Sequence, residues 1–243
     1  MFKVIPGGTL TTLYSFCSRS GCADGSYPAG ALVQDINGDL YGTTEDGGAS
    51  GDGTVFKITL SGSLTTLHSF GGTDGSFPNV ALAQGVNGSL YGTTAFGGTN
   101  NAGTVFEITT TGTLTTLYNF CSKAGCADGS QPAGLVQDTN GIFYGTTSYG
   151  GTYGYGTVFS LSVGLGPFVI MEPTSGAVEA AVKILGTGLT GATSVTFNGT
   201  PAAFTVVSSA EITTTVPAGA TTGKVEVVIP TRTLSSNVPF LVP

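Results

Sequence analysis

Apolar and polar residues alternate along most of this chain in short runs. In Val105-Phe106-Glu107-Ile108 and in Leu114-Thr115-Thr116-Leu117 the period is near two, the spacing of a strand that packs one face against a neighbour. No window keeps apolar residues at intervals of three and four, so helix content close to nil is expected. In one copy of the pattern, strands are expected at 80–84, 90–94, 103–109 and 114–120, with the Gly97-Gly98 loop between the second and the third. Asn-Gly stands at Asn37, Asn87 and Asn140; it is the strongest short-range hairpin signal and marks the turn between first and second strands. Asp-Gly at Asp24, Asp74 and Asp128, each with a proline three residues past the glycine, marks the crossing into the next unit.

The pattern is written three times. LYGTT at 40–44 and 90–94 returns as FYGTT at 143–147, GTVF begins at Gly53, Gly103 and Gly156, and LTTL begins at Leu10, Leu64 and Leu114. Tyr41 to Tyr91 is 50 residues and Tyr91 to Tyr144 is 53, a period that means repeat architecture. A four-stranded unit of that length is the blade of a β-propeller, as in kelch-type arrays. Phe2-Lys3-Val4 aligns with Phe56-Lys57-Ile58, and the repeats end at 156–162 on a strand of the same third type, which makes thirteen strands. Propellers usually have about four to eight blades, so a piece of a longer array, a protomer completing a ring with another copy, or an open stack is expected. Through P-AG-LVQ, NG-LYGTT, GTVFKIT and LTTLYSF, residues 1 to about 162 resemble the GloVer tandem repeat of bacterial surface and secreted proteins. The resemblance implies a secreted or surface-anchored propeller-like array and carries over no catalytic residue.

The repeats stop near Leu165-Gly166-Pro167. Beyond them, strands at 181–185, 194–197, 203–208, 211–216, 223–228 and 239–242, separated by short turns, predict a small sandwich. PTSG at Pro173, GTGLTGATSV at Gly186 and VPAGATTGKVEV from Val216 make this segment resemble the IPT/TIG family of immunoglobulin-like domains. In bacterial surface proteins that resemblance implies a spacer or interaction module. Its DNA-binding members are a poor guide here, because the segment holds only Lys183, Lys224 and Arg232 as basic residues. The expected fold is all-β: a propeller-like array of three four-stranded repeats over 1–165, then an immunoglobulin-like β-sandwich over 166–243.

Composition sharpens this reading. Forty glycines suit strands joined by tight turns. Seven basic against fourteen acidic residues give a net charge of −7 without any charged run, which argues against nucleic acid or an anionic membrane as partner. No apolar run approaches a membrane span, and no signal-peptide pattern precedes Phe2, so a mature chain or a fragment is expected. The four cysteines form two frames, Cys17 to Cys22 and Cys121 to Cys126, at equivalent places in repeats one and three. In repeat two both are missing and the loop is four residues shorter, FGGTDG against FCSRSGCADG. Cysteines that come and go with the loop they bracket read as local disulfides and favour an oxidising, extracellular or cell-surface setting. A metal site is the rival, though no histidine or further cysteine stands near.

Little else points to chemistry. The lone histidine, His68, sits where other copies have Tyr14 and Tyr118, and reads as a packing or surface variant rather than a catalytic base. Carboxylate pairs for glycoside hydrolysis would draw on Asp24, Asp74, Asp128, Asp35, Asp138, Glu45 and Asp46, but the first three belong to turns, and Glu45 and Asp46 have no counterpart in the other copies. Asp35 to Asp39 resembles the start of a calcium loop and is better read as a hairpin, since the other copies lose the ligands. Gly-rich segments near Gly97 and Gly150 lead into strands without a lysine, so they cradle no phosphate. Tyr41, Tyr91 and Tyr144 recur and are expected between blades; Tyr149, Tyr153 and Tyr155 crowd one loop only and are the candidates for a sugar or protein ligand.

The functional expectation is a non-enzymatic extracellular protein, without metal or cofactor. It is structural or adhesive and self-assembles, into fibres if matching fails to close, through Phe2, Lys3, Val4 and Ile5 at one edge and Thr157, Val158, Phe159, Ser160 and Leu161 at the other. The alternative is a carbohydrate-binding propeller module with glycans as partners.

Overall fold

The glycine after each turn asparagine takes a positive φ, 85° at Gly38, 82° at Gly88 and 88° at Gly141, so the chain reverses there as the hairpin signal requires. The computed structural model describes residues 1–35 and 38–243, so the Asn37 half of the first turn, with Ile36 of the calcium-like segment, lies outside the described residues. Short 3-10 turns at Ser20–Cys22 and Ala124–Cys126 are the helical segments among the described residues.

Two repeats are four-stranded antiparallel sheets in sequential order. The first holds Val33–Gln34, Leu40–Thr44, Thr54–Ile58 and Leu64–Ser69; the second holds Ala83–Gln84, Leu90–Thr94, Thr104–Ile108 and Leu114–Asn119. The third has three strands, Ser130–Gln137, Phe143–Tyr149 and Val158–Leu161, and Phe2–Val4 pairs with Leu10–Thr12 as a separate hairpin. That hairpin pairs Phe2 with Thr12 and Val4 with Leu10, the register in which Phe56 meets Thr66 and Ile58 meets Leu64. The described repeat region therefore has thirteen strands in a propeller-like array, with the third-strand type four times.

The first strand is shorter than the 80–84 expected. Its first half is drawn to the preceding sheet, where Thr43 Oγ1 donates to the Val80 carbonyl at 3.1 Å.

The repeated words of the sequence are cross-strand and blade-to-blade contacts. Gly42 and Gly92 lie opposite Phe56 and Phe106, and the ring occupies the space that a side chain would take. On the same strands the last threonine of YGTT meets the first of GTVF, hydroxyl to hydroxyl, at 2.8 Å for Thr44 and Thr54 and 2.9 Å for Thr94 and Thr104 and for Thr147 and Thr157. Each such phenylalanine also meets, tilted or edge to face, the one ending the previous repeat: Phe16 and Phe56 with centroids at 5.0 Å, Phe70 and Phe106 at 5.3 Å, Phe120 and Phe159 at 5.0 Å. Such a ring pair adds about 0.5–1.5 kcal/mol beyond the area it buries. Alternation gives every sheet two faces. Tyr41 and Val55 of repeat one pack against Leu82, Leu90, Phe106 and Ile108 of repeat two, while Phe56, Ile58 and Leu64 receive Met1, Leu13, Tyr14 and Phe16.

The C-terminal part is an immunoglobulin-like β-sandwich. One sheet orders Val169–Glu172, Ala181–Gly186, Glu211–Thr215 and Phe204–Val206; the other orders Thr200–Pro201, Ser194–Phe197, Val225–Ile229 and Arg232–Ser235. Val182, Ile184, Ile212, Val195, Phe197, Val225 and Val227 fill the space between them. The expected strand at 239–242 is absent as a ladder: Phe240 exchanges both main-chain bonds with Gly223 while Leu241 bonds to Thr174 and Gly176, so consecutive residues make single bridges to different neighbours. Arg232–Ser235 escapes sequence reading because its single buried apolar residue is Leu234.

By contacts the chain divides into two units, residues 1–84, 88–136 and 144–160 in one, and 85–87, 137–143 and 161–243 in the other.

The ring-over-glycine contact yields a direct test. A Cβ at Gly92 would stand 2.5 Å from Phe106 Cζ and 2.8 Å from Leu82 Cδ2. Gly92→Ala is expected to destabilise the array by about 1–3 kcal/mol, the usual cost of overpacking, measured as a lower denaturant midpoint. An unchanged midpoint would show that the ring does not depend on that space.

Candidate functional site

Antiparallel order sends two kinds of loop to one end of each repeat: the Gly-Gly loop between second and third strands, and the crossing loop that follows the fourth. They are bonded together there. Gly48 N donates to Cys22 O at 3.0 Å, Gly98 N to Gly72 O at 2.8 Å and Gly151 N to Cys126 O at 2.9 Å. Disulfides join Cys17 to Cys22 and Cys121 to Cys126, and in repeat two Gly72 does without a staple what Cys22 and Cys126 do within one.

An aspartate closes each crossing loop. Asp24 Oδ2 accepts from Tyr14 Oη at 2.7 Å, Ser18 Oγ at 2.8 Å and Ser18 N at 3.0 Å, and Oδ1 accepts from Arg19 N at 3.2 Å. Asp128 repeats this with Tyr118 at 2.7 Å, Ser122 Oγ at 2.7 Å, Ser122 N at 2.9 Å and Lys123 N at 3.2 Å. Burial by itself would push both carboxyls up; the converging donors outweigh it, holding Asp128 at about 2 and Asp24 further below the usual carboxylate range. The Tyr118 phenol moves up, through burial and then through the adjoining Asp128 carboxylate. In repeat two His68 takes the tyrosine's place: Nε2 lies 2.7 Å from Asp74 Oδ2, and Gly71 N donates to Oδ1 at 2.9 Å. Its ring meets Phe70 edge-on at 5.0 Å, as Tyr14 meets Phe16 at 5.3 Å and Tyr118 meets Phe120 at 5.2 Å. Sequence reading placed these residues separately and missed the pairing. Its signal was present, since an aromatic or His near the end of every fourth strand accompanies the Asp of every Asp-Gly.

The remaining candidates are dispersed. Asp39 pairs with Lys57 at 3.3 Å, Asp35 accepts from Gln84 at 3.2 Å, and Asp138 caps the Thr139 amide at 2.7 Å. Glu45 N donates to Tyr27 O at 3.0 Å and Asp46 pairs through its main chain with Ser26. Among the described residues no three His, Cys, Asp or Glu side chains gather as a metal site, and no helix is long and apolar enough to cross a membrane. In the sandwich, burial lowers the pKa of Lys224, whose Nζ donates to the Ser236 and Asn237 carbonyls at 2.7 and 2.8 Å, and Lys183 lies 3.4 Å from Glu211. Tyr41 and Tyr91 are buried and Tyr144 half-buried, whereas Tyr149, Tyr153 and Tyr155 are exposed: Tyr149 is the last residue of the strand Phe143–Tyr149, not a loop residue as expected, and Tyr153 and Tyr155 stand in the Gly-Gly loop beyond it. Phe2, Lys3, Val4 and Ile5 are exposed, as are Val158 and Ser160; Phe159 and Leu161 are half-buried, and Thr157 is held by Thr147.

The profile of the Gloeobacter/Verrucomicrobia repeat matches residues 1–207, and the chain belongs to that family. No curated protein matches it. Among solved structures it is similar to the selenomethionine-substituted virginiamycin B lyase from Staphylococcus aureus, at 12% identity and a TM-score of 0.37 over 91% of this chain and 72% of that one. A likeness at that score carries nothing over to this chain.

The aspartate closures set a pH dependence. A carboxyl whose folded pKa lies below its unfolded value near 4 stabilises the fold fully above that value and loses the contribution as pH falls towards about 2, where Asp128 protonates. Tyr118→Phe should raise the Asp128 pKa, read by carboxyl NMR titration, and move acid unfolding to higher pH. An unmoved titration would mean that the phenol does not hold the carboxylate.

Proposed function

We propose that this chain is a non-enzymatic structural or adhesive module working outside the cell, and that it self-associates through the open ends of its repeat array. The carrying observation is that the recurring residues are engaged in building the array: glycine under ring, threonine on threonine, ring on ring, aspartate inside its own loop. A repeated active site would instead leave recurring polar groups directed at solvent. The two disulfides support an oxidising compartment, and the net charge of −7 without basic runs disfavours nucleic acid as partner. The sandwich, which we read as IPT/TIG-like, serves in this account as a spacer.

One observation favours a second reading. Tyr149 at the end of a strand and Tyr153 and Tyr155 in the loop that follows present three exposed aromatic rings, the equipment of a carbohydrate-binding module.

Two measurements separate these readings. Light scattering across a concentration series should show mass rising above the 24.2 kDa protomer, and a constant protomer mass at high concentration would remove the assembly reading. Glycan-array binding that Tyr153→Ala and Tyr155→Ala abolish would establish the second reading in its place. Protein purified without reductant should contain no titratable thiol; four free thiols would remove the support for an extracellular setting.

A further inference from the structure

The contact between successive repeats occurs twice in full inside the chain, and its two halves occur once more incompletely covered. On the side facing the next repeat, Val55 and Val105 are 0% and 1% exposed, but Val158 at the same position is 79% exposed. Likewise Ala102 is 7% exposed and Tyr155, its equivalent, is 93% exposed. On the side facing the previous repeat, Leu82 is 4% exposed and its equivalent Leu32 is 40% exposed. Pro78 and Pro132 are buried and Pro28 is exposed. The first repeat thus has Met1 at the place of Val55 but no counterpart of Tyr41, leaving part of the face uncovered that is covered in the second, and the third lacks the neighbour that its own equivalents would cover.

Resting on the assembly reading above, we infer that the partner is a second copy of this chain, bound head to tail. The third repeat of one copy seats against the first repeat of the next, in the geometry of the two internal contacts. Those contacts specify the joint. Phe77 N donates to Asp52 O at 3.0 Å and Gln131 N to Ala102 O at 2.8 Å, which assigns Tyr27 N to Tyr155 O. Pro78 abuts Gly53 and Pro132 abuts Gly103, which places Pro28 over Gly156. Val158 takes the place of Val55 against Leu32. The joint also requires an exchange of strands. The hairpin strand Phe2–Val4 occupies the third-strand position beside Leu10–Thr12, with all six residues exposed. Val158–Leu161 of the other copy replaces it, pairing Phe159 with Thr12, Ser160 with Thr11 and Leu161 with Leu10 in the register of Phe56 with Thr66 and Ile58 with Leu64. The composite sheet then has three strands from one chain and one from the other, the four of an intact repeat. Because the two surfaces differ, the contact is heterologous and propagates or closes as a ring.

The test uses two variants at exposed positions, Val158→Lys at the tail and Pro28→Lys at the head, each confirmed folded by its thermal melt. At a concentration where the unaltered protein assembles, each variant alone should have the protomer mass, since one lacks a tail and the other a head. Their equimolar mixture should give a capped dimer of twice that mass. Oxidation of Thr11→Cys protein mixed with Ser160→Cys protein should link the two chains, more than in either protein alone. An unaltered protein that stays monomeric defeats the assembly reading and this joint together. An unaltered protein that assembles while either lysine variant assembles equally well, or a mixture that gives no dimer, overturns the head-to-tail joint alone.

Discussion

A phenylalanine ring lying over a glycine of the neighbouring strand is the contact on which the repeat region depends. At Phe56 and Phe106 the ring fills the space left by Gly42 and Gly92 and reaches the ring that ends the previous repeat. One residue thereby joins two strands within a sheet and one sheet to another. The arrangement fixes which face of every strand looks forward and which looks back, because a one-residue slip would turn the ring to the wrong side. Tyr41 and Val55 look forward, and Leu82, Leu90 and Phe106 receive them. Stability of this kind is nearest-neighbour in character, so an end repeat lacks one interface's worth of burial.

Loops at the other level of the structure are held by polar closure rather than by apolar packing. The aspartates of the crossing loops accept from a phenol, a hydroxyl and amides, and the stapled loops add a disulfide. Repeat two reaches the same closure with four residues fewer, a histidine for the tyrosine and a glycine carbonyl for the cysteine carbonyl. Two chemistries for one geometry argue that the geometry is what the fold requires. The sole histidine has its place through this role, with its ring packed on Phe70 and its Nε2 turned to Asp74.

Much of the architecture was legible in the sequence because the repeat is short and its turns are chemically distinctive. Asn-Gly, Gly-Gly and Asp-Gly separate the strands, and in repeat two YGTT and GTVF place the second and third strands to within a residue, whereas in repeat three the strand expected at 156–162 is Val158–Leu161. The first strand was overextended because its early residues bond to the preceding sheet, a tertiary effect that no local pattern carries. In the sandwich, Arg232–Ser235 and Thr200–Pro201 were missed because they are polar or two residues long, while 239–242 was apolar enough to mislead. The candidate surface was only half legible. Three tyrosines crowded between 149 and 155 stand out in any reading, but the exposure of Val158 and Leu32 emerges only by comparison with buried equivalents.

The central claim is that the open faces of the first and third repeats cover one another between chains. Amide hydrogen exchange across 156–161, read against protein concentration, tests it most directly, because the outer edge of Val158–Leu161 gains a partner strand only in the assembled state. The account predicts fast exchange in dilute protein and slowing as concentration rises, with the buried Thr104–Ile108 strand slow throughout. Exchange at 156–161 that is equally fast at every concentration, in protein that does assemble, would contradict it.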